Sequence, residues 1–152
     1  MNLTVKNIIE DKQYFDEVLN LLYKEWGNNN FEFWKTWVQS SMSSNSVPMT
    51  FIVFCDKELV GTFSLWRCDL DLQSRQDLFP WLAGIVVKEE RRGKGIGLFI
   101  QNQAKKILKN LGFDKAYLST EMTGYYERTG WQYIGKVHDR NNYMWNLYEI
   151  TL

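Results

Sequence analysis

The sequence predicts an α/β protein in which helices cover both faces of a mixed α+β sheet. Patterns with the periods of strands and helices follow one another in the order β-α-α-β-β-β-α-β-α-β-β. The chain has 152 residues, of which 45% are hydrophobic, so residues 1–152 suit a single domain with a sizeable core. A fully apolar run at 81–87 passes through a glycine-rich loop into an amphipathic helix, which is typical of a strand–loop–helix unit.

The first part of the chain predicts a strand, two helices and a hairpin. Residues 3–8 alternate loosely, as a strand does, and Asp11 is a suitable N-cap for the helix that follows. The apolar stripe of that helix comprises Phe15, Val18, Leu19, Leu22 and Trp26, and Gly27 with three asparagines ends it. A second helix is predicted at 31–42. Strands at 49–55 and 59–68 flank a turn short enough for a hairpin.

The second part of the chain predicts three further strands around a long helix. A polar loop at 69–80 precedes the apolar strand 81–87, in which Gly84 indicates a bulge or a close backbone approach. The helix that follows carries its apolar stripe on Ile100, Ala104, Ile107, Leu108 and Leu111, and Gly112 suits its C′ position. A strand at 115–120, a short helix and an antiparallel pair at 131–137 and 143–150 complete the prediction.

Composition argues against several classes of protein. Eighteen basic and eighteen acidic residues give no net charge, whereas nucleic-acid binding favours a basic excess. No apolar run approaches the roughly eighteen residues of a membrane span, and the N-terminus lacks a signal-peptide core. We therefore expect a cytoplasmic protein without a membrane or nucleic-acid partner. Cys55 and Cys68 fit small buried residues, and a single histidine, His138, argues against a metal site.

The most informative stretch is Arg91-Arg92-Gly93-Lys94-Gly95-Ile96-Gly97, between the apolar strand and the long helix. Glycine allows positive φ and close backbone approach, while a helix N-terminus offers free N–H groups and partial positive charge. Together they indicate a site for an anion such as pyrophosphate. The Walker pattern fails because Gly95 follows Lys94, and the dinucleotide fingerprint fails because Leu98 stands at its third glycine.

Two motifs identify a family. The pattern Arg92-x-x-Gly95-x-Gly97 resembles the acyl-CoA-binding signature of the GNAT superfamily of N-acetyltransferases. Downstream, Tyr125-Tyr126-Glu127-Arg128-Thr129-Gly130-Trp131 resembles the family's second recurrent segment, a short helix that runs into a late strand. The order and spacing of the two motifs are those of the family. The resemblance covers residues 81–131 by motif and the earlier residues by topology, with two parallel central strands expected to splay apart.

The resemblance implies acetyl-CoA as cosubstrate and gives roles to individual residues. The pantetheine arm is expected along the backbone of Ile85, Val86 and Val87, with the Val87 N–H polarising the thioester carbonyl. The CoA pyrophosphate is expected at the backbone of Gly93, Lys94, Gly95, Ile96, Gly97 and Leu98, with charge from Arg92 and Lys94 and a further phosphate contact from Arg128. Tyr126 is the predicted general acid for the leaving thiolate, and Tyr125 competes for that role.

The general base stays open at this stage. Glu121, at the end of the 115–120 strand, is the first candidate, and Glu89, Glu90, Asp77 or a water relay are alternatives. Many family members have Asn-x-x-Ala after this strand, with the Asn contacting pantetheine. Here the segment is Ser119-Thr120-Glu121-Met122-Thr123-Gly124, so that contact is lost or passes to Thr120 or Glu121.

The predicted reaction is transfer of an acetyl group from acetyl-CoA to the amine of a small molecule or peptide by direct attack. A non-catalytic acyl-CoA-binding or regulatory module of the same fold is the alternative, and a homodimer is compatible with both. A Cys–His hydrolase has no local signature. One acceptor hypothesis combines the loop carboxylates Asp69, Asp71 and Asp77 with the aromatic rings of Phe33 and Trp37, a pairing suited to a cationic amine.

Overall fold

The computed structural model describes residues 1–43, 45–67 and 74–152. In chain order these residues form β1 (Leu3–Asn7), α1 (Phe15–Trp26), α2 (Phe31–Ser40), β2 (Met49–Cys55), β3 (Glu58–Trp66), β4 (Trp81–Val87), α3 (Ile96–Asn110), β5 (Lys115–Thr120), β6 (Gln132–His138) and β7 (Met144–Thr151). Short 3₁₀ turns lie at Ile8–Glu10, Lys12–Tyr14, Glu89–Arg91 and Glu127–Thr129.

The strands form one mixed sheet in the order β1-β2-β3-β4-β5-β7-β6. β1 with β2, β2 with β3, β5 with β7 and β6 with β7 pair antiparallel. The parallel pairing of β4 with β5 places Trp81, the first residue of β4, beside Tyr117. This mixed α/β arrangement confirms the predicted fold class, and the order of the elements follows the predicted order closely.

The hairpin between β2 and β3 has a turn of two residues. Cys55 pairs with Glu58, so Asp56 and Lys57 alone form the turn. Both have positive φ, 49° and 78°, as the two central residues of a type I′ hairpin turn require. β3 ends at Trp66, and Cys68, which the pattern also placed in this strand, lies outside the described residues.

The entry to α1 differs from the prediction. The helix begins at Phe15 because two 3₁₀ turns come between it and β1. Asn7 accepts a hydrogen bond from the Ile9 N–H (3.2 Å) and donates its own N–H to Glu10 (3.2 Å), which closes a capping box on the first turn. The Asp11 carboxylate instead accepts from the Gln13 side chain at 2.8 Å, so it does not cap α1.

The Tyr segment also differs from the prediction, because a single 3₁₀ turn, Glu127–Thr129, replaces the expected short helix. Gly124 and Gly130 bound the segment with φ of 80° and 95°. These left-handed conformations interrupt a right-handed helix on either side. Tyr126 is therefore the residue that leads into the turn rather than part of a helix.

Contacts divide the chain into two compact units. The first unit comprises Met1–Leu65 and Gly84–Gln103. In this unit α1 buries Val18, Leu19 and Leu22, and all seven residues of β2 are buried. Gly84 has φ of 59°, and a Cβ there would lie 3.5 Å from Leu22 and 3.7 Å from both Ser64 and Trp37. The irregularity expected at Gly84 is thus a left-handed residue against which both helices pack closely.

Buried hydroxyl groups connect α2 to the strands of the first unit. The Trp37 indole N–H donates to Ser64 Oγ at 3.1 Å, and Ser64 Oγ lies 3.0 Å from Thr50 Oγ1. Trp37 is 3% exposed, so it belongs to the core. The hypothesis that Trp37 is an exposed aromatic for a cationic acceptor is wrong for this reason.

The second unit comprises Trp66–Ala83 and Ala104–Leu152. Its core forms around Trp81, Tyr117, Val137 and Leu147. The turn between β6 and β7 is fixed by the Asp139 carboxylate, which accepts from the N–H groups of Asn141 (2.8 Å) and Tyr143 (3.0 Å) and from the Trp145 indole (3.1 Å). These bonds hold the pKa of Asp139 below its usual range, the indole contributing most. Among the described residues, no helix is long and apolar enough to cross a membrane.

Candidate active site

The glycine loop of the first unit has the backbone that its sequence requires. Gly93 and Gly95 adopt φ of 72° and 80°, a region that costs other residues about 1–2 kcal/mol each. A Cβ built on either glycine would meet no described atom within 4 Å. The loop therefore turns its glycines toward open space immediately before α3, where a ligand could approach the backbone.

The first turn of α3 presents backbone donors beside these glycines. The bond from the Phe99 N–H to the Gly95 carbonyl, at 3.0 Å, closes the first turn. By helix geometry the N–H groups of Ile96, Gly97 and Leu98 have no partner within the helix. The Ile96 side chain is 2% exposed and anchors the helix in the core. An anion placed here would meet N–H groups that have no partner within the helix, together with the positive end of a fifteen-residue helix.

Four basic side chains lie around this loop, and acidic residues neutralise three of them. Lys88 pairs with Glu17 at 3.2 Å, Arg92 pairs with Glu25 at 2.9 Å, and Arg91 pairs with Glu58. The Lys94 ammonium lies 3.4 Å from the Glu90 carbonyl. Within the part of the chain that the structure describes, Lys94 is thus the loop cation without a carboxylate partner.

The end of β4 has a defined peptide orientation. A Cβ on Gly61 of β3 would come within 2.6 Å of the Val86 carbonyl oxygen, so this carbonyl faces β3. Because C=O and N–H point in opposite directions across a trans peptide, the Val87 N–H points away from β3. The Lys88 N–H donates to the Val60 carbonyl at 2.8 Å, and the Arg92 Nε–H donates to the Val87 carbonyl at 2.9 Å. The side chain of Val86 is buried, and those of Ile85 and Val87 are half-buried.

The second unit contains the two tyrosines proposed for acid chemistry. The Tyr126 ring is 9% exposed and packs edge-on against Tyr125, with 4.9 Å between ring centroids. Burial, followed by the neighbouring Tyr125, raises the pKa of Tyr126 to about 12. Its phenol is therefore protonated at neutral pH and can donate a hydrogen bond. Tyr125 is half-buried.

A tyrosine that the sequence analysis missed fixes the turn after Tyr126. The Tyr148 hydroxyl, on β7, donates to the Glu127 carboxylate at 2.5 Å. This bond lowers the pKa of Glu127, and burial together with the same bond raises the pKa of Tyr148 to about 12. The alternation of β7 predicts an inward side chain at this position. No local pattern predicts the bond, because its partners are 21 residues apart.

The candidate bases lie in different surroundings. Glu121 is exposed and accepts a 2.5 Å hydrogen bond from the Tyr143 hydroxyl, which raises the pKa of Tyr143. Asp77 forms a surface ion pair with Arg75 at 3.2 Å, and this contact lowers the pKa of Asp77. Glu89 and Glu90 are exposed in the 3₁₀ turn before the glycine loop. Asp69 and Asp71, from the acceptor hypothesis, lie outside the described residues.

Two further predicted contacts can be placed. The Thr120 hydroxyl accepts from the Met122 N–H at 3.0 Å, so its lone pairs are partly engaged at the end of β5. Arg128 is exposed in the 3₁₀ turn after Tyr126. Among the described residues, no group of three or more His, Cys, Asp or Glu side chains is arranged to hold a metal ion.

Comparisons with known proteins agree with this fold. A family model described as Acetyltransferase (GNAT) family matches residues 13–131. An aminoglycoside 6'-N-acetyltransferase complexed with coenzyme A shares 17% identity at a TM-score of 0.77, over 99% of this chain and 97% of the other. The aminoglycoside 6'-N-acetyltransferase from Enterococcus faecium shares 17% identity at a TM-score of 0.73, over the same shares of both chains.

A third similar structure is a GNAT family acetyltransferase from Elizabethkingia anophelis with acetyl-CoA bound. It shares 14% identity at a TM-score of 0.68, over 99% of each chain. At these identities the likeness shows the fold. No curated protein matches this chain in sequence.

Proposed function

This chain belongs to the GNAT acetyltransferase family, and we propose that it is an N-acetyltransferase that moves an acetyl group from acetyl-CoA to a primary amine. The observation that carries this proposal is the glycine loop, where left-handed Gly93 and Gly95 face open space beside the first amides of α3, which have no partner within the helix. That combination suits a pyrophosphate group, and Lys94 adds a cation without a carboxylate partner among the described residues. Arg128 is a second exposed cation available to a CoA phosphate.

The proposed reaction is direct attack of the amine on the thioester carbonyl carbon. A C–N bond forms, the C–S bond breaks, and the sulfur leaves as a thiolate. The Val87 N–H, which points away from β3, is the proposed donor to the carbonyl oxygen as negative charge builds on it. Ile85, Val86 and Val87 would supply the backbone for the pantetheine arm.

The proposed role of Tyr126 is to stabilise the thiolate as it departs. A thiol has a pKa of about 8.5, so complete proton transfer from a phenol with a pKa of about 12 is uphill by about 5 kcal/mol. We therefore expect Tyr126 to donate a hydrogen bond while charge develops on sulfur and to transfer its proton late. The Glu127–Tyr148 bond supports this role, because it fixes the turn that Tyr126 begins.

The amine must lose a proton, since a lysine-like amine has a pKa of about 10.4. Glu121 is our first candidate to receive it, directly or through water, because its carboxylate is exposed and oriented by the Tyr143 hydroxyl. Asp77 is the weaker candidate, since its contact with Arg75 lowers its pKa and hence its basicity. Two of the similar structures are aminoglycoside acetyltransferases, which favours a small-molecule acceptor over a peptide.

The proposal is tested by incubating the protein with acetyl-CoA and a panel of amines that includes polyamines, amino acids, aminoglycosides and peptides with free N-termini. Thiol release measures turnover, and mass spectrometry identifies a product heavier by one acetyl group. Calorimetry with CoA measures binding separately. Binding without turnover on any amine would favour the non-catalytic acyl-CoA-binding module, and a failure to bind CoA would refute both interpretations.

A further inference from the structure

Arg92 connects the glycine loop to two other elements of the first unit. Its Nε–H donates to the Val87 carbonyl at the end of β4, at 2.9 Å, and its Nη2 donates to Glu25 on the last turn of α1, also at 2.9 Å. The residue itself lies at the start of the glycine loop. A guanidinium has donors in a fixed planar fork, so these two contacts set its orientation.

The peptide that joins Val87 to Lys88 is consequently held on both sides. Its carbonyl accepts from Arg92 at 2.9 Å, and its N–H donates to the Val60 carbonyl of β3 at 2.8 Å. Two opposed bonds prevent this peptide from rotating. Because the next peptide toward the N-terminus shares the Val87 Cα, this restraint also limits movement of the Val87 N–H, the proposed thioester donor.

The position of Glu25 also indicates that the pair orients the Arg92 guanidinium rather than stabilising the fold. A carboxylate in the last turn of a helix is disfavoured by the negative end of the helix dipole. Both side chains of the pair are partly exposed, 49% for Arg92 and 36% for Glu25, and exposed ion pairs stabilise a fold little. Stability is therefore a weak reason for this pair, and orientation of the guanidinium is the stronger one.

We propose that Arg92 and Glu25 form a positioning pair for catalysis. The pair restrains the Val87–Lys88 peptide and, through it, the Val87 N–H, and Arg92 does not act as a phosphate ligand. This inference rests on the proposed function. It departs from the role that the motif resemblance gives Arg92. The phosphate charge falls instead to Lys94 and the loop amides.

The test compares two donors, acetyl-CoA and S-acetylpantetheine, which has the same thioester arm and no phosphate. The acceptor is the best amine of the panel. For Arg92→Ala we expect kcat at saturating acetyl-CoA to fall about tenfold and kcat/KM for S-acetylpantetheine to fall by a similar factor. Arg92→Lys should resemble Arg92→Ala, since an ammonium lacks the fork that reaches both partners. Glu25→Gln keeps an acceptor oxygen, so its kcat should fall less than that of Arg92→Ala.

Two further variants separate positioning from charge. Lys94→Ala should raise the KM for acetyl-CoA more than the KM for S-acetylpantetheine, as expected for a phosphate contact. Arg91→Ala removes a guanidinium of the same loop that pairs with Glu58. The kcat and KM of this variant should stay close to wild type with both donors. Thermal unfolding checks that each variant is folded.

Several results would overturn the inference. One is a rise in the KM for acetyl-CoA in Arg92→Ala with kcat and S-acetylpantetheine turnover unchanged, and another is full rescue by Arg92→Lys. Either would make Arg92 a phosphate ligand. If the wild-type protein transfers no acetyl group to any amine, the proposed function itself fails, which the wild-type control shows before any variant is compared.

Discussion

Gly95→Glu tests the cofactor loop most directly. Gly95 has φ of 80°, and a Cβ there would meet no described atom within 4 Å. The Cβ of the new side chain therefore causes no clash in the free protein. The cost to the fold is the left-handed backbone, about 1–2 kcal/mol of unfolding free energy. The side chain would extend into the space where we place pyrophosphate, ahead of the α3 amides.

The expected loss of affinity has an electrostatic part and a steric part. Two unit charges about 5 Å apart in water repel by about 0.8 kcal/mol, so a carboxylate beside a doubly charged pyrophosphate costs about 1.7 kcal/mol. Displacing the phosphate from the loop amides adds to this cost. We therefore expect the Kd for CoA to rise at least about tenfold, which corresponds to 1.4 kcal/mol.

Calorimetric titration with CoA is the assay, and Gly112→Glu is the matched control. Gly112 has φ of 92° and equally open surroundings, but it follows the other end of α3. Both variants should lose similar unfolding free energy, and only Gly95→Glu should lose CoA affinity. Unchanged affinity in folded Gly95→Glu, or an equal loss in Gly112→Glu, would refute the assignment of the loop to phosphate.

Three further predictions address the acid, its pKa and the acceptor. Tyr126→Phe should lower kcat by roughly 10²-fold at nearly constant CoA affinity; if Tyr125→Phe shows the loss instead, the role moves to Tyr125. Burial raises the pKa of Tyr126 from its ordinary value of 10.0 to about 12, so the contribution of Tyr126 to stability is complete below pH 10 and is lost as pH rises toward 12. Chemical unfolding should show that the free energy of unfolding falls by up to about 3 kcal/mol over that range, and by less in Tyr126→Phe. The carboxylate half of the acceptor hypothesis does not need the buried Trp37. It predicts that turnover of a cationic amine falls with salt and that Asp71→Asn with Asp77→Asn raises the KM for that amine. A neutral preferred acceptor, or an unchanged KM in the double variant, would rule it out.

Much of the fold was predictable because its signals are local. The bounds of β2, β4 and β5 follow from apolar runs and their flanking residues, and the observed strands match them. The start of α1 and the Tyr segment were misread for a physical reason. After Asp11 the 3₁₀ turn Lys12–Tyr14, which has no side-chain cap, stands where the pattern favoured the first residues of a regular helix. In the Tyr segment a 3₁₀ turn followed by left-handed Gly130 replaces the expected helix. Trp26, counted in the apolar stripe of α1, is 42% exposed because it is the last residue of the helix.

The electrostatics of the candidate site depend on pairs that are distant in sequence. The loop sequence alone suggests several cations for phosphate, Arg92 among them. In the fold, Lys88 meets an acid 71 residues away, Arg92 one 67 residues away and Arg91 one 33 residues away. No local pattern encodes those partners. A phosphate site here must therefore depend mainly on backbone N–H groups and Lys94, while the proposed role of Arg92 is to position the end of β4 beside the loop.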